Sequence, residues 1–310
     1  MATIYTSVPD GLTSLLEAHL PHSLPVLRRL QFTRFPGGMR PTARVIFASD
    51  TPLPSSSGQD GSPAPRHFTA AYLDFGSHIE TQLFLYSTLE DGGLEGDAEA
   101  REASEAQVDA ALAAVARVSA EQPENRAYPG GCLVGTLATA TRDAMVRRGV
   151  RVEPRAVDQY EKWLFRVEEL PDVDVVLPDG AAWAPATEAD CEVVISRTYV
   201  PRQVKTLMSF PSLVLKLQDG TPIAWSFLGT DGSLSSLHCE EPYRKRGYAK
   251  ALATRLFKRS ISEYGSDGWG FADVAPDNVG SRGMCKSLNG RQSWNCSWNI
   301  IRFEDEQLRN

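Results

Sequence analysis

The stretch that most constrains this chain is Arg244-Lys245-Arg246-Gly247-Tyr248-Ala249, because of what flanks it. Upstream, Ser233 to Cys239 reads as a strand. Downstream, Leu252, Ala253, Leu256, Phe257, Ser260 and Ile261 recur at helical spacing, with Lys250, Thr254, Lys258 and Arg259 on the opposite face. The piece is strand, short basic glycine turn, amphipathic helix. Such a turn aims consecutive backbone N–H groups, and the positive end of the helix dipole, at one anion. Gly247 lets the backbone approach closely, and Ala249 is too small to obstruct it. A diphosphate fits that cradle. Pro222 to Leu228 predicts a strand, and the turn Gly229-Thr230-Asp231-Gly232 makes it one arm of a hairpin leading into the loop strand. Trp269 to Val274 predicts another strand after the helix, and Asn278-Val279-Gly280-Ser281 opens a further short helix. Two adjacent strands diverging beside the loop would leave a slot for a long thin ligand arm.

The hexapeptide resembles the (Gln/Arg)-x-x-Gly-x-(Gly/Ala) loop of the GNAT acyltransferases, which implies that Arg244 to Lys250 grip the pyrophosphate of coenzyme A. The likeness extends further. Phe210-Pro211, Asp219-Gly220-Thr221-Pro222, Trp225 and the ending Arg291-Gln292-Ser293-Trp294-Asn295 are similar to the glycine N-acyltransferases. So is Leu12 to Leu30, with Leu15-Leu16-Glu17 and Ser23-Leu24-Pro25. The resemblance is dense after about Leu170 and thin before it. It implies an α+β GNAT fold, a mixed and mostly antiparallel sheet flanked by helices, in residues 179–310. Residues 1–178 would form an α/β amino-terminal domain, a candidate degenerate GNAT unit.

Acyl transfer from a thioester to an amine needs a base for the ammonium, a donor for the tetrahedral oxyanion and a proton for the departing thiolate. In GNAT folds the strand before the loop carries a bulge, expected here near Leu237-His238-Cys239. The resemblance makes the Cys239 N–H a candidate oxyanion donor and its C=O, with Leu237, a candidate partner of the pantetheine arm. Ser233 stands where the glycine N-acyltransferases carry a catalytic Glu, and a serine accepts no proton usefully at neutral pH. His238 is the candidate base, directly or through water. The alternatives are a strand histidine on the far face of the sheet, or ordered water alone. In the pattern Asn-x-x-Ala-x-x-Leu-Tyr, Asn278, Ser281 and Met284 fit, while Cys285 replaces the tyrosine that protonates the thiolate. Cys285 is therefore the candidate acid, with a packed helix cysteine as the alternative. Asn278 and Ser281 are candidate coenzyme A contacts. Arg197, Arg202 and Lys205 lie on the segment expected to roof the acceptor site, where a carboxylate of the acceptor would need a cation.

The implied activity is transfer of an acetyl or larger acyl group from an acyl-CoA co-substrate to a primary amine of a small molecule or amino acid. Two alternatives are an acyl-CoA-binding protein without turnover and an N-acetyltransferase of peptide or protein amines. At 310 residues the chain suits two domains, or one large one, and its net charge of -7 argues against nucleic acid as a partner. No apolar run has the length of a membrane span. Asp10 and Glu17 sit where a presequence avoids acids, which favours the cytoplasm over mitochondria, although Arg28, Arg29, Arg34 and Arg40 cluster nearby. The cysteines Cys132, Cys191, Cys239, Cys285 and Cys296 form no C-x-x-C pair, so neither a disulfide framework nor a metal site is expected. The oligomeric state is not readable from the sequence.

Along the amino-terminal half, Asp50 to Arg66 reads as a loop between strands at 44–48 and 68–73. Residues 97–120 and 139–148 predict helices, and 132–134 an apolar strand. Gly130-Gly131 and Gly135 lack the Lys-Ser/Thr of a phosphate loop and read as a strand-edge turn. Strands are expected at 162–167 and 174–177, then helices at 186–199 and 201–208.

Overall fold

The computed structural model describes residues 2–54, 64–92, 96–122, 127–155, 157, 159–198 and 200–303. The loop expected at 50–66 therefore falls largely on residues outside that set. The chain divides into two compact units, one of residues 1–34, 39–160 and 294–310, the other of 35–38 and 161–293. This division differs from the sequence boundary at 178/179. The last strand begins beside the second unit's elements, and its residues from Trp294 onward belong with the first.

In the first unit, β1 (Ala2–Tyr5), β2 (Arg44–Ser49), β3 (Phe68–Leu73), β4 (Leu83–Ser87) and β5 (Gly131–Ala138) lie side by side in chain order. The carboxyl-terminal part of β13 (Arg291–Arg302) pairs antiparallel with β5 and with β6 (Arg151–Pro154). All neighbours in the β1-to-β5 row are antiparallel except β4 and β5, which run parallel through Leu83 and Val134. Successive strand side chains take opposite faces, and here both faces are covered. Ile46, Ala48, Ala71 and Leu73 cluster with Val108, Leu112 and Val115 of α3 (Ala98–Glu121). Val45, Phe47, Tyr72 and Phe84 cluster instead with Leu16, Val26, Leu27 and Leu30 of α1 (Leu12–Glu17) and α2 (Leu24–Phe32). Each fully buried side chain of this size contributes roughly 1.5–3 kcal/mol. The helix α4 (Thr139–Arg147) follows β5 directly. Gly130, at a φ of 67°, turns the chain into β5, and a Cβ on Gly131 would collide with Ile301 O. Gly130 thus serves the strand-edge turn that the sequence reading expects, whereas Gly131 serves a close strand approach and Gly135 lies inside β5.

In the second unit, β7 (Tyr160–Arg166) pairs antiparallel with β12 (Trp269–Val274). A four-stranded antiparallel sheet runs in the order β11 (Leu234–Cys239), β10 (Pro222–Leu228), β9 (Ser212–Lys216), β8 (Ala182–Ala184). The helix α7 (Tyr248–Tyr264) turns Ala251, Leu252, Leu256, Phe257, Ile261 and Tyr264 into the core, which is the apolar stripe read from the sequence. Tyr264 Oη donates to the carbonyls of Gly229 (2.7 Å) and Leu228 (3.2 Å), tying the end of α7 to the β10–β11 turn.

Two expectations need correcting. Residues 174–177 form no strand: bracketed by Pro171 and Pro178, the segment leaves Val176 90% exposed, and its carbonyl accepts from Tyr248 Oη at 2.9 Å. The two roofing helices are shorter than expected, α5 at Glu188–Ser196 and α6 at Val204–Met208. Thr187 and Asp190 form a capping box that fixes where α5 begins. The last helix, α8 (Val279–Ser287), starts where Asn278 Oδ1 accepts from Ser281 N.

Candidate functional site

The loop between β11 and α7 leaves the start of α7 without a side-chain cap. A short 3-10 turn at Glu241–Tyr243 is followed by two left-handed residues, Lys245 (φ 63°) and Gly247 (φ 83°). Gly247 occupies the N-cap of α7 and no side chain caps that end, so the first-turn N–H groups are left to whatever lies in front of them. What lies there is a cleft of about 610 Å³. Leu237, His238 and Cys239 form one wall of it. Arg244, Lys245, Gly247, Tyr248, Ala249 and Lys250 form its base, and Asn278 and Ser281 its other side. Of the candidate cofactor residues, Arg246 alone is absent from this lining. Its guanidinium donates to Pro242 O and lies 5.7 Å from the Tyr243 ring centroid.

The slot expected beside the loop is also present. A parallel bridge joins Ser233 of the β10–β11 turn to Phe271 of β12, and no further pairing joins β11 to β12 among the described residues. The bulge falls at Ser236 (φ 54°), just before the expected Leu237-His238-Cys239. From Trp225 to Phe227 β10 advances two residues, while β11 uses three, His238 to Ser235. Downstream of the bulge, Glu240 N–H donates to Ile223 O at 2.9 Å. Alternation along an antiparallel pair then directs the backbone groups of His238 at β10 and those of Leu237 and Cys239 at the open edge. The Cys239 carbonyl accepts from Arg244 Nε at 3.0 Å, which anchors the loop to the strand. Burial pushes the Cys239 thiol up.

The candidate base and acid sit differently. The His238 ring stacks on Trp225 with centroids 4.5 Å apart. Its Nε2 is buried with no hydrogen-bond partner and lies 3.7 Å from Glu240 Oε2. Glu240 also takes Arg197, at 3.0 Å. Cys285 is 3% exposed, and burial, with Glu161 and Asp273 nearby, pushes its thiol up to about 12. It stays protonated at neutral pH and gives that proton up reluctantly. Ser233 donates to Asp231 Oδ1 at 2.6 Å, so the hydroxyl in the expected Glu position is committed to a neighbouring carboxylate.

A second pocket, of about 290 Å³, adjoins the first and shares Leu237, Asn278, Ser281 and Met284 with it. Arg202 lines it, and the Arg202 Nε is buried with no hydrogen-bond partner. Lys205 is not among its lining residues. Asp273 lines it too, joined at 2.6 Å to Lys162 on the neighbouring strand. Sequence reading missed both members of that pair. The available signal was a charged residue among apolar ones in each of two strands, Asp273 in Trp269–Val274 and Lys162 before Trp163-Leu164-Phe165 in Tyr160–Arg166. Among the described residues no group of three or more His, Cys, Asp or Glu side chains could hold a metal ion, and no helix is long and apolar enough to cross a membrane.

An uncapped helix start opens onto a cleft beside two strands that part company, in a chain that is a GNAT-type N-acyltransferase. The family comparisons agree. The family described as acyl-CoA N-acyltransferase verG N-terminal domain matches residues 2–163, and FR47-like protein matches residues 213–299. The first match spans more than half of the chain, and the chain belongs to that acyl-CoA N-acyltransferase family. Among solved structures, a Drosophila protein is similar over 94% of both chains, with a TM-score of 0.61 at 16% identity. A tandem GNAT protein from the clavulanic acid biosynthesis pathway is similar over 97% of this chain and 98% of that one, with a TM-score of 0.51 at 9% identity. At such identities the likeness is one of fold, and the fold comprises two GNAT-like halves. No curated protein sequence matches the chain.

Proposed function

We propose that this enzyme transfers the acyl group of acetyl-CoA, or of a larger acyl-CoA, to the primary amine of a small molecule or amino acid. The observation that carries the reading is the uncapped N-terminus of α7, which opens onto a cleft continuing into a second, smaller pocket. The coenzyme A diphosphate rests on the N–H groups after Gly247, with Arg244, Lys245 and Lys250 offsetting its charge. The pantetheine arm runs along Leu237 and Cys239, beside Asn278 and Ser281. The thioester then lies at the junction of the two pockets, where an N–H of β11 steadies the oxyanion.

The acceptor enters the smaller pocket. Arg202, whose buried Nε lacks a partner, supplies the cation that an acceptor carboxylate needs. This fits the resemblance to the glycine N-acyltransferases and makes amino acids the first acceptors to try. His238 takes the ammonium proton, directly or through one water, and the amine attacks the carbonyl. The C–N bond forms, the C–S bond breaks, and the thiolate leaves with the proton shed by the attacking nitrogen. With its thiol pushed up to about 12, Cys285 is a poor acid for that last transfer. The test is to incubate the pure protein with acetyl-CoA and a panel of glycine, other amino acids, polyamines and aryl amines, following free thiol. Acceptor-dependent thiol release is the expected result. Silence across the whole panel would refute the reading.

A further inference from the structure

The two ring nitrogens of His238 have unlike surroundings. Trp225, 1% exposed, stacks on the imidazole at 4.5 Å and 19° and holds its plane. The His238 side chain is 26% exposed and lines the larger cleft. Nε2 shares none of that exposure, being buried with no hydrogen bond to engage it, so Nδ1 is the nitrogen left to the cleft. The group beside Nε2 is a carboxylate, Glu240 Oε2 at 3.7 Å. Glu240 continues the extended path of β11 (φ -59°, ψ 142°), so its side chain falls on the same face as that of His238, two residues earlier. Its N–H is tied to Ile223 O at 2.9 Å, and its other oxygen, Oε1, takes Arg197 Nε at 3.0 Å. Backbone and carboxylate are thereby both held, with Oε2 left for His238.

In a neutral imidazole one nitrogen carries the proton and the other accepts, and the partners of the two decide which is which. An ionised carboxylate accepts and cannot donate, so it draws a proton to the nitrogen it faces and repels a lone pair there. A separation of 3.7 Å is longer than a hydrogen bond, and contacts of this kind commonly tighten once substrate is bound. A buried N–H without a partner is itself costly, which favours the same closing movement.

We infer that Glu240 is a positioning residue for the base: it holds the His238 proton on Nε2, leaves Nδ1 bare toward the acceptor ammonium, and pairs with the imidazolium that forms. The inference rests on the N-acyltransferase reading and deepens it by naming which nitrogen takes the proton and what orients it. The proton leaves the ammonium for Nδ1, directly or through one water, and passes to bulk water through the open cleft after the amide has formed. The carboxylate keeps its charge throughout and touches neither substrate. Arg197 shares that carboxylate but reaches its other oxygen, so the ion pair and the orienting contact are separable.

The experiment combines NMR of the full-length protein, isotopically labelled at the histidine nitrogens, with the kinetics of thiol release from acetyl-CoA. The chain has five histidines, and the signal missing in His238→Gln identifies the one in question. In mildly alkaline buffer, where a histidine ring is uncharged, His238 is expected to carry its proton on Nε2, and Glu240→Ala is expected to shift it toward Nδ1. Glu240→Gln keeps an acceptor and loses the charge. The tautomer should therefore stay while kcat falls about tenfold, the scale of one hydrogen bond to a charged group, with KM for acetyl-CoA unchanged. That fall is expected to disappear in a His238→Gln background and to persist in an Arg197→Gln background. A proton on Nδ1 in the wild type, or a tautomer indifferent to Glu240→Ala, would overturn the inference. So would an equal fall in the His238→Gln background, or one that vanishes in the Arg197→Gln background, which would make Glu240 an anchor for the roof only. Turnover with the wrong tautomer leaves the enzymatic reading standing and this inference refuted. Without turnover in the wild type the enzymatic reading fails, and the tautomer decides this inference by itself.

Discussion

Each half of the molecule contains a strand, a long helix and a second strand parallel to the first, and the two versions end differently. In the first unit β4 leads to α3 and then to β5, which lies parallel to β4. Asp97 occupies the N-cap of α3, and its carboxylate accepts from Ala100 N at 2.9 Å. In the second unit β11 leads to α7 and then to β12, with the parallel bridge at Ser233 and Phe271. There the N-cap is Gly247, which offers no side chain. The first helix satisfies its own positive end with a built-in anion, and no side chain does so for the second, the end that we propose takes the coenzyme A diphosphate. The strands differ in the same sense. Gln82 N donates to Leu133 O at 3.0 Å, and Gln82 Oε1 accepts from Leu133 N, so β4 and β5 are laced together. A Cβ on Gly135 would meet Thr81 at 2.5 Å and Trp298 at 3.0 Å, so no room for a ligand arm is left there. A side-chain cap on the helix start and laced strands occur together in the first unit only.

The largest effect should come from filling the open helix start. Gly247→Val forces a β-branched residue to φ 83° and presses toward Val175, whose Cγ1 already lies 3.1 Å from the position of a Cβ. Coenzyme A affinity should fall on the order of a hundredfold by calorimetry, the loss of one or two charged hydrogen bonds. Next is His238→Ala, for which a fall in turnover of roughly a hundredfold is expected, with coenzyme A affinity unchanged. His238→Gln should be nearly as slow. A turnover per folded molecule that stays level in both variants, with a lowered melting temperature, would reduce His238 to a packing partner of Trp225. In the first unit, Asp97→Ala should cost about 1 kcal/mol of stability, as cap removals do, and leave coenzyme A binding untouched. Weakened coenzyme A binding in that variant would break the comparison between the halves.

Two smaller effects sharpen the picture of the second unit. Cys285→Ala should slow turnover less than about threefold, since a thiol held so high donates little. A hundredfold loss would restore it as the acid. Burial also raises the Asp231 carboxyl above its ordinary value of 3.8, against the opposing donation from Ser233. A carboxyl that holds its proton more tightly when folded supports the fold fully below the ordinary value, and that support is lost as pH rises through the raised one. Asp231→Asn cannot ionise, so its melting temperature should gain on the wild type as pH climbs from acid toward neutral. A gap that stays constant with pH would show that Asp231 does not titrate differently on folding.

Much of this was legible in the sequence because short-range physics sets it. The apolar stripe of α7, the glycine at its start, the hairpin through Asp231 and the cap at Asn278 are all local patterns, and they recur in the structure where the residues place them. The bulge was legible to within a residue, since nothing local tells Ser236 from Leu237 as the place where β11 takes its extra step. The pair formed by Lys162 and Asp273 was not legible, because 111 residues separate two positions that the β7–β12 register brings together. The return of residues from Trp294 onward to the first unit was hidden for the same reason. Asp174 to Leu177 misled because the β-branched and apolar run Val175-Val176-Leu177 predicts a strand, whereas a strand also needs a partner, and the flanking prolines carry this segment past one.

We propose that the second unit binds coenzyme A and the first does not. Calorimetric titration of the full-length protein with coenzyme A tests it directly through the stoichiometry. One equivalent per chain, lost in Gly247→Val and retained in Asp97→Ala, is the predicted result. Two equivalents per chain, or a single one that survives Gly247→Val, would contradict it.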